Sequence, residues 1–291
     1  WYTNTWTWTH SYPNLLAKDS LPIGTLTVRG FDARMVQSDN QGTTLENSLA
    51  RAARQLAVPP QIPIDRSATS ILQVLDWNKT LNPPNNVPGL CAGSFINIAV
   101  EGMAYLELKA GLHRFHIVSD DRSGIYLGFK PGAPDTQVIW ENPGDTANTT
   151  FDFAVEADGL YPVRLVWEET GGDARLNLRS VNLDDLSEVR LNDPADPAGV
   201  VKAWYPLVCL SATSVAGPWT ADSTAANSIG SVDVQGQDCP ATIVGSMVAG
   251  GTFVAPVSGA TRFYRIEGPR SVRITKFEKA GADVRISYVL Q

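Results

Sequence analysis

Charge is scarce in this chain of 291 residues: Asp, Glu, Lys and Arg together make up only 18% of it. Cysteine, histidine and methionine occur three times each. No apolar run approaches the ~18 residues that a membrane-spanning helix needs, which excludes such a span. Basic residues are outnumbered, and the net charge of −7 excludes nucleic acid as a partner, because phosphates require a basic face. There is no C-x-x-C pair, so a zinc ribbon or thioredoxin-like site is excluded. Also missing are G-x-S-x-G, H-E-x-x-H, a P-loop and a dinucleotide fingerprint. His113 and His116 are three apart on an expected strand, so they face opposite sides and cannot share a metal ion. The paired carboxylates of a glycosidase are a spatial arrangement that spacing alone does not reveal. Glu168-Glu169 and Asp184-Asp185 read as solvated strand ends. The expectation is a protein that is not an enzyme.

What is abundant points to β-structure. Hydrophobic residues reach 43%, with 24 Gly and 19 Pro, a composition of many short strands joined by turns. At ~100–200 residues per domain, the length suits two or three domains. Phe115 and Ile117, Gly124-Ile125-Tyr126-Leu127-Gly128, Phe151, Phe153 and Val155, Tyr161 to Trp167, and Ala174 to Leu178 are strand signals separated by turn residues. They predict an antiparallel sandwich or barrel. Residues 25–38 read as a strand that shifts phase at Gly30, as a bulge would make it do. One helix is expected over 44–57, opened by a Thr43/Glu46 capping box, with Leu45, Leu49, Ala52, Ala53 and Leu56 on one stripe. Residues 186–200, rich in Asp, Pro and Ala, read as a linker. Further short strands over 201–291 predict a second, smaller β-sandwich. Within it a disulfide between Cys209 and Cys239 is expected, and closing that loop is worth roughly 3–4 kcal/mol. Cys91 is left as a buried thiol or an intermolecular partner.

Three stretches carry a family resemblance. They are Leu112-His113-Arg114-Phe115-His116-Ile117-Val118-Ser119-Asp120-Asp121, then Gly124-Ile125-Tyr126-Leu127, then Tyr161 to Glu168 followed by Gly171-Gly172-Asp173-Ala174-Arg175-Leu176. In this order they resemble the PA14 family over about residues 25–185. The resemblance implies a PA14-like antiparallel β-sandwich or barrel with one short helix. The C-terminal part, with Gly217-Pro218-Trp219 and Arg262-Phe263-Tyr264-Arg265, is similar to small β-modules that end many secreted bacterial proteins. In sugar-binding members of that family an Asp-Asp pair holds calcium, which in turn holds sugar hydroxyls. Asp120 and Asp121 occupy the matching place, and carboxylate oxygens are the donors calcium takes. The family's Asp-Asp-Gly turn is Asp120-Asp121-Arg122-Ser123-Gly124 here, longer and carrying a cation. The pair is therefore read either as turn-capping acids or as a calcium site.

Residues 1–24 stand apart. The first ten, Trp-Tyr-Thr-Asn-Thr-Trp-Thr-Trp-Thr-His, alternate Thr with larger side chains, as a strand does. Burial of its aromatics would roughly offset the entropy of ordering the segment, so it needs a sheet edge to persist, either in its own chain, where it closes the sandwich as a first strand, or in a neighbouring copy. Residues 11–24 follow as a tether that reaches up to ~45 Å when extended. The leading expectation is a subunit of an extracellular bacterial fibril. Its copies form a homopolymer by donating this strand head to tail, with Trp6 and Trp8 as anchors assisted by Tyr2. The alternative is a monomeric carbohydrate-binding or adhesive module that holds calcium on Asp120 and Asp121 and binds surface glycans. A third reading is an accessory domain of a larger enzyme. The start at Trp1 fits secretion with removal of a signal peptide.

Overall fold

The structure is a computed structural model, and it describes residues 11–38, 44–81, 87–90, 95–130, 136–142, 144–195, 201–229, 250–256 and 262–290. Two sheets pack face to face. The first runs in the order β1 (Asn14–Leu15), β9 (Thr146–Val155), β6 (Gly111–Asp120), β11 (Arg175–Val181) and β12 (Glu188–Arg190), with β4 (Asp76–Asn78) also paired to β11. The second runs β3 (Arg66–Leu72), β2 (Phe31–Gln37), β5 (Ile98–Leu108), β10 (Gly159–Glu169), β7 (Ser123–Leu127) and β8 (Gln137–Glu141), with β13 (Ala203–Trp204) on β5. Among the described residues the sheets stay open, so the fold is a sandwich and not a barrel.

Alternation puts Phe115, Ile117, Phe151 and Phe153 of one sheet against Ile98, Val100, Val163, Leu165 and Trp167 of the other in one core. Trp77 and Trp167 meet across it with ring centroids 5.3 Å apart. Strand β10 buries nearly every position because both of its faces are covered. Tyr161, Val163, Leu165 and Trp167 face the opposite sheet. Val166 faces Ala52 and Leu56 of the helix α1 (Leu49–Leu56), and Leu160 faces Leu26, Val208 and Leu210.

The helix departs from its sequence reading. It starts at Leu49, not at 44, and its cap is Ser48, whose hydroxyl accepts from the Arg51 amide at 3.0 Å. Thr43 lies outside the described residues. The buried face holds Arg51, Ala52, Gln55 and Leu56, while Ala53 is exposed. Half of that face is polar, which apolar periodicity cannot signal. The strand expected over 25–38 begins only after Gly30. At φ 129° that residue is left-handed, and a Cβ there would meet Ile71 Cγ2 at 2.6 Å. The phase shift marks a change of partner: Val28, Arg29 and Gly30 bond to Tyr205, Trp204 and Ala203 instead of continuing β2.

Residues 188–193, within the span read as a linker, are structural. β12 pairs with β11, Leu191 enters the main core, and Asn192 is fully buried. The Asn192 side chain accepts from Arg29 Nε at 2.5 Å and the Ala203 amide at 3.0 Å, and donates to the Gln73 carbonyl at 2.7 Å. It adopts φ 61°, which Asn tolerates better than most residues.

The C-terminal part has its own core, with Leu207, Phe253, Ile286 and Tyr288 at the centre. One sheet runs β15 (Thr220–Ala221), β14 (Val208–Ala212), β18 (Phe263–Glu267). The other runs β16 (Ala226–Ile229), β17 (Gly250–Pro256), β20 (Asp283–Leu290), β19 (Val272–Ala280). One polar anchor to the first part is Arg270, which grips the buried Asp32 of β2 through both guanidinium arms, Nε to Oδ2 at 2.8 Å. Arg270→Ala leaves that carboxylate buried and unpaired, and is expected to cost about 3–5 kcal/mol in urea unfolding. Replacing the pair together, Arg270→Met with Asp32→Leu, is expected to cost much less.

Candidate functional site

Strand β6 ends at Asp120 in the first sheet and β7 begins at Ser123 in the second, so Asp121-Arg122 carries the chain around the open end of the sandwich. The Asp120-Asp121 peptide bond is cis. Beside this corner lies the end of β10. Glu169 has the same parity as Val163, Leu165 and Trp167, so its side chain points between the sheets, while Glu168 points to the opposite face, under α1. Carboxylate oxygens of Asp120, Asp121 and Glu169 all lie within 4.8 Å of one another.

The three acids are held differently. Asp121 Oδ2 accepts from the Thr170 amide at 2.9 Å and its hydroxyl at 2.8 Å. Glu169 Oε1 accepts from the Gly171 amide at 2.5 Å. Glu169 Oε2 has no hydrogen-bond partner among the described residues, although Glu169 is 0% exposed. A buried oxygen left this way costs free energy that a bound cation would recover. Asp120 is half-buried and anchored through its carbonyl, which accepts from Trp167 Nε1 at 3.2 Å.

Behind the acids lies a buried polar network. Arg51 donates to Glu168 Oε2, to Gln55 Oε1 at 2.5 Å, to the Ile98 carbonyl at 2.9 Å and to the Glu46 carbonyl at 3.0 Å. Gln55 donates to the Asn97 carbonyl at 2.9 Å, and the Asn97 amide donates to the Thr170 carbonyl at 3.4 Å. The network therefore runs from the helix back to the residue that holds Asp121. Burial brings Arg51 down to about 10, and the charges of Asp121 and Glu169 oppose that fall.

The cation that interrupts the family's turn does not serve these acids. Arg122 donates to Asn47 at 3.1 Å and to Asp145 at 3.2 Å. Burial, and then the Asp121 charge, push Glu169 up to about 8, and Asp120 is raised by the same two causes. The corner is thus an all-oxygen, electron-rich set with surplus negative charge. That donor chemistry fits a hard cation such as calcium.

The structure brings Asp120 and Asp121 together and adds Glu169, which the sequence reading missed. Glu168 and Glu169 are both fully buried and do not lie at a solvated strand end. The signal was present: Glu169 continues the every-second-residue row of Tyr161, Val163, Leu165 and Trp167. His113 stacks on Phe153, with ring centroids 5.4 Å apart, and His116 sits between Glu188 and Asn148, so they share no site. Among the described residues Cys209 is a buried free thiol, and burial pushes it up to about 12. Cys239 and Cys91 lie outside the described residues, as do Tyr2, Trp6 and Trp8.

No family model matches the chain, and no curated protein matches it. Among solved structures, the fold is similar to the PA14 sugar-binding domain from an RTX adhesin. The match is 19% identical over 57% of this chain and 96% of that one, with a TM-score of 0.39. It is also similar to the PA14 domain of the MpAFP antifreeze protein, 15% identical over 61% of this chain and 92% of that one, with a TM-score of 0.43. A third is the epithelial adhesin 9 A domain from Candida glabrata, in complex with Galb1-4GlcNAc. That match is 13% identical over 67% of this chain and 97% of the other, with a TM-score of 0.46.

The raised Glu169 has a thermodynamic signature. Its folded value of about 8 exceeds the unfolded 4.5, so the metal-free folded state keeps a proton that the unfolded chain has lost. That stabilisation is complete below the unfolded value and disappears as pH rises through the folded one. Without added metal, Glu169 is expected to contribute a fall in the thermal midpoint from about pH 4.5 up to about pH 8, and Glu169→Gln to flatten that fall.

Proposed function

We propose that this chain is a non-enzymatic, calcium-dependent glycan-binding or adhesive module that works outside the cell. The observation that carries the reading is the convergence of Asp120, Asp121 and Glu169, one of them with a buried oxygen lacking a partner among the described residues. Asp120, Asp121 and Glu169 would hold the ion. What calcium supplies there, when bound, is a set of open coordination positions that neighbouring hydroxyls of a sugar can fill. This chain's own contribution is rigidity. Thr170 orients Asp121, Trp167 fixes the backbone at Asp120, and Arg51 with Glu168 anchors the end of β10 that carries Glu169. The PA14 resemblance carried by residues 112–176 points the same way, because its Asp pair falls on this corner. Extracellular calcium is abundant enough for a site of modest affinity, and modules of that kind bind with Kd of about 10⁻⁴–10⁻³ M.

Calorimetric titration with calcium tests the reading, alongside a glycan array run with calcium and with a chelator. One calcium per chain is expected, with Asp120→Asn weakening it at least about tenfold and every array signal lost in chelator. Absence of calcium binding up to about 10 mM would reject the reading.

A further inference from the structure

The outer face of the first sheet carries a groove beside the acidic corner, with a volume of about 550 Å³. That size suits a small ligand. Register sets its floor. Asp120 of β6, Arg175 of β11 and Asn78 of β4 stand opposite one another in one row, and Val118, Asn177 and Asp76 form the next. Residues opposite one another share a face of the sheet, so these side chains are neighbours.

Two of the three arginines in the groove are engaged. Arg190 donates to Asp76 at 2.8 Å and to Asp193 at 2.9 Å. Arg179 donates to Asn177 Oδ1 at 2.6 Å and to Glu188 at 3.2 Å. The carboxylates that line the groove therefore already hold arginines. Arg175 is different. It is half-buried, and its guanidinium has neither a hydrogen bond nor an ion pair among the described residues. Its charge still reaches Asp120, where it opposes the rise that burial and Asp121 impose. The two asparagines add to this imbalance. Asn78 Oδ1 accepts from the Thr80 amide at 2.9 Å and the Thr80 hydroxyl at 2.7 Å, and Asn177 Oδ1 is taken by Arg179. Each carboxamide is thereby oriented with its oxygen used and its NH₂ group left without an acceptor among the described residues. Three neighbouring side chains, Arg175, Asn78 and Asn177, thus offer donors alone.

We propose that this groove takes a carboxylated sugar, whose carboxylate pairs with Arg175 and whose hydroxyls accept from Asn78 and Asn177. The inference rests on the glycan-binding reading above and names the class of sugar. A planar guanidinium meets a carboxylate with two parallel hydrogen bonds. Val118 and Leu81 supply apolar surface for the C–H face of the ring. A cation at the corner would draw on Asp120, the acid directly opposite Arg175, and would leave positive charge on both sides of that row. An anionic ligand then complements the groove better than a neutral one.

A glycan array tests the inference. It carries carboxylated glycans, their carboxyl-reduced counterparts and sulfated glycans, and is probed in calcium with the intact protein, Arg175→Gln and Arg175→Lys. Each protein is also titrated with calcium by calorimetry. The carboxylated glycans are expected to bind at least about tenfold more tightly than their reduced counterparts. Arg175→Gln is expected to erase that preference and Arg175→Lys to keep part of it. Both variants are expected to bind calcium at least as tightly as the intact protein, which reports that they are folded. Equal binding of carboxylated and reduced glycans, or a preference that survives Arg175→Gln, would overturn the inference while calcium-dependent glycan binding stands. Binding confined to sulfated glycans would overturn it in favour of a sulfate ligand. A protein that binds no calcium, or calcium but no glycan, rejects the proposed function itself, and the inference falls with it.

Discussion

The pairing of Arg51 with Glu168 is the contact on which the acidic corner depends. Both side chains are fully buried, and each lies on an element that would otherwise have an apolar reason to be there. Arg51 is on the helix that covers the second sheet, and Glu168 is at the end of the strand at the centre of that sheet. Because an unpaired buried charge costs several kcal/mol, the two fix one another's position closely. The helix therefore sits in one register over β5 and β10. The next residues along β10, Glu169 and Thr170, are then placed to meet the corner that Asp121 begins.

This explains why an acidic cluster can form where three carboxylates repel. Each is attached to something rigid. Asp120 terminates a long strand paired on both sides, Asp121 is tied to Thr170, and Glu169 sits at the end of a strand whose interior row includes the tryptophan that packs on Trp77. Burial first, and the Asp121 charge second, raise the proton affinity of Glu169 and Asp120, because the backbone cannot spread.

Much of this was legible in the sequence, and the exceptions share a cause. Strands β6, β9 and β10 followed from period-two alternation and β-forming residues, and the Asp pair followed from the PA14 resemblance. The helix was recognised, but its start and face were misread. Its cap is a serine beyond the expected box, and its buried face carries Arg51 and Gln55. Glu168 and Glu169 looked solvated for the same reason: residue type was taken for environment. Pairing makes buried charge tolerable, and a partner distant in sequence leaves no local trace. Leu191 and Asn192 looked like linker because turn-forming composition describes a buried connector as well as a loose one. The lesson is positional. Parity along β10 pointed Glu169 inward even though its chemistry pointed outward.

The most direct measurement is a crystal structure of the intact protein grown in calcium. The account expects one ion at the corner, with oxygens of Asp120, Asp121 and Glu169 at about 2.3–2.6 Å. A corner that stays free of the ion at about 10 mM calcium, with Glu169 hydrogen-bonded to a neighbouring carboxylate, would contradict it.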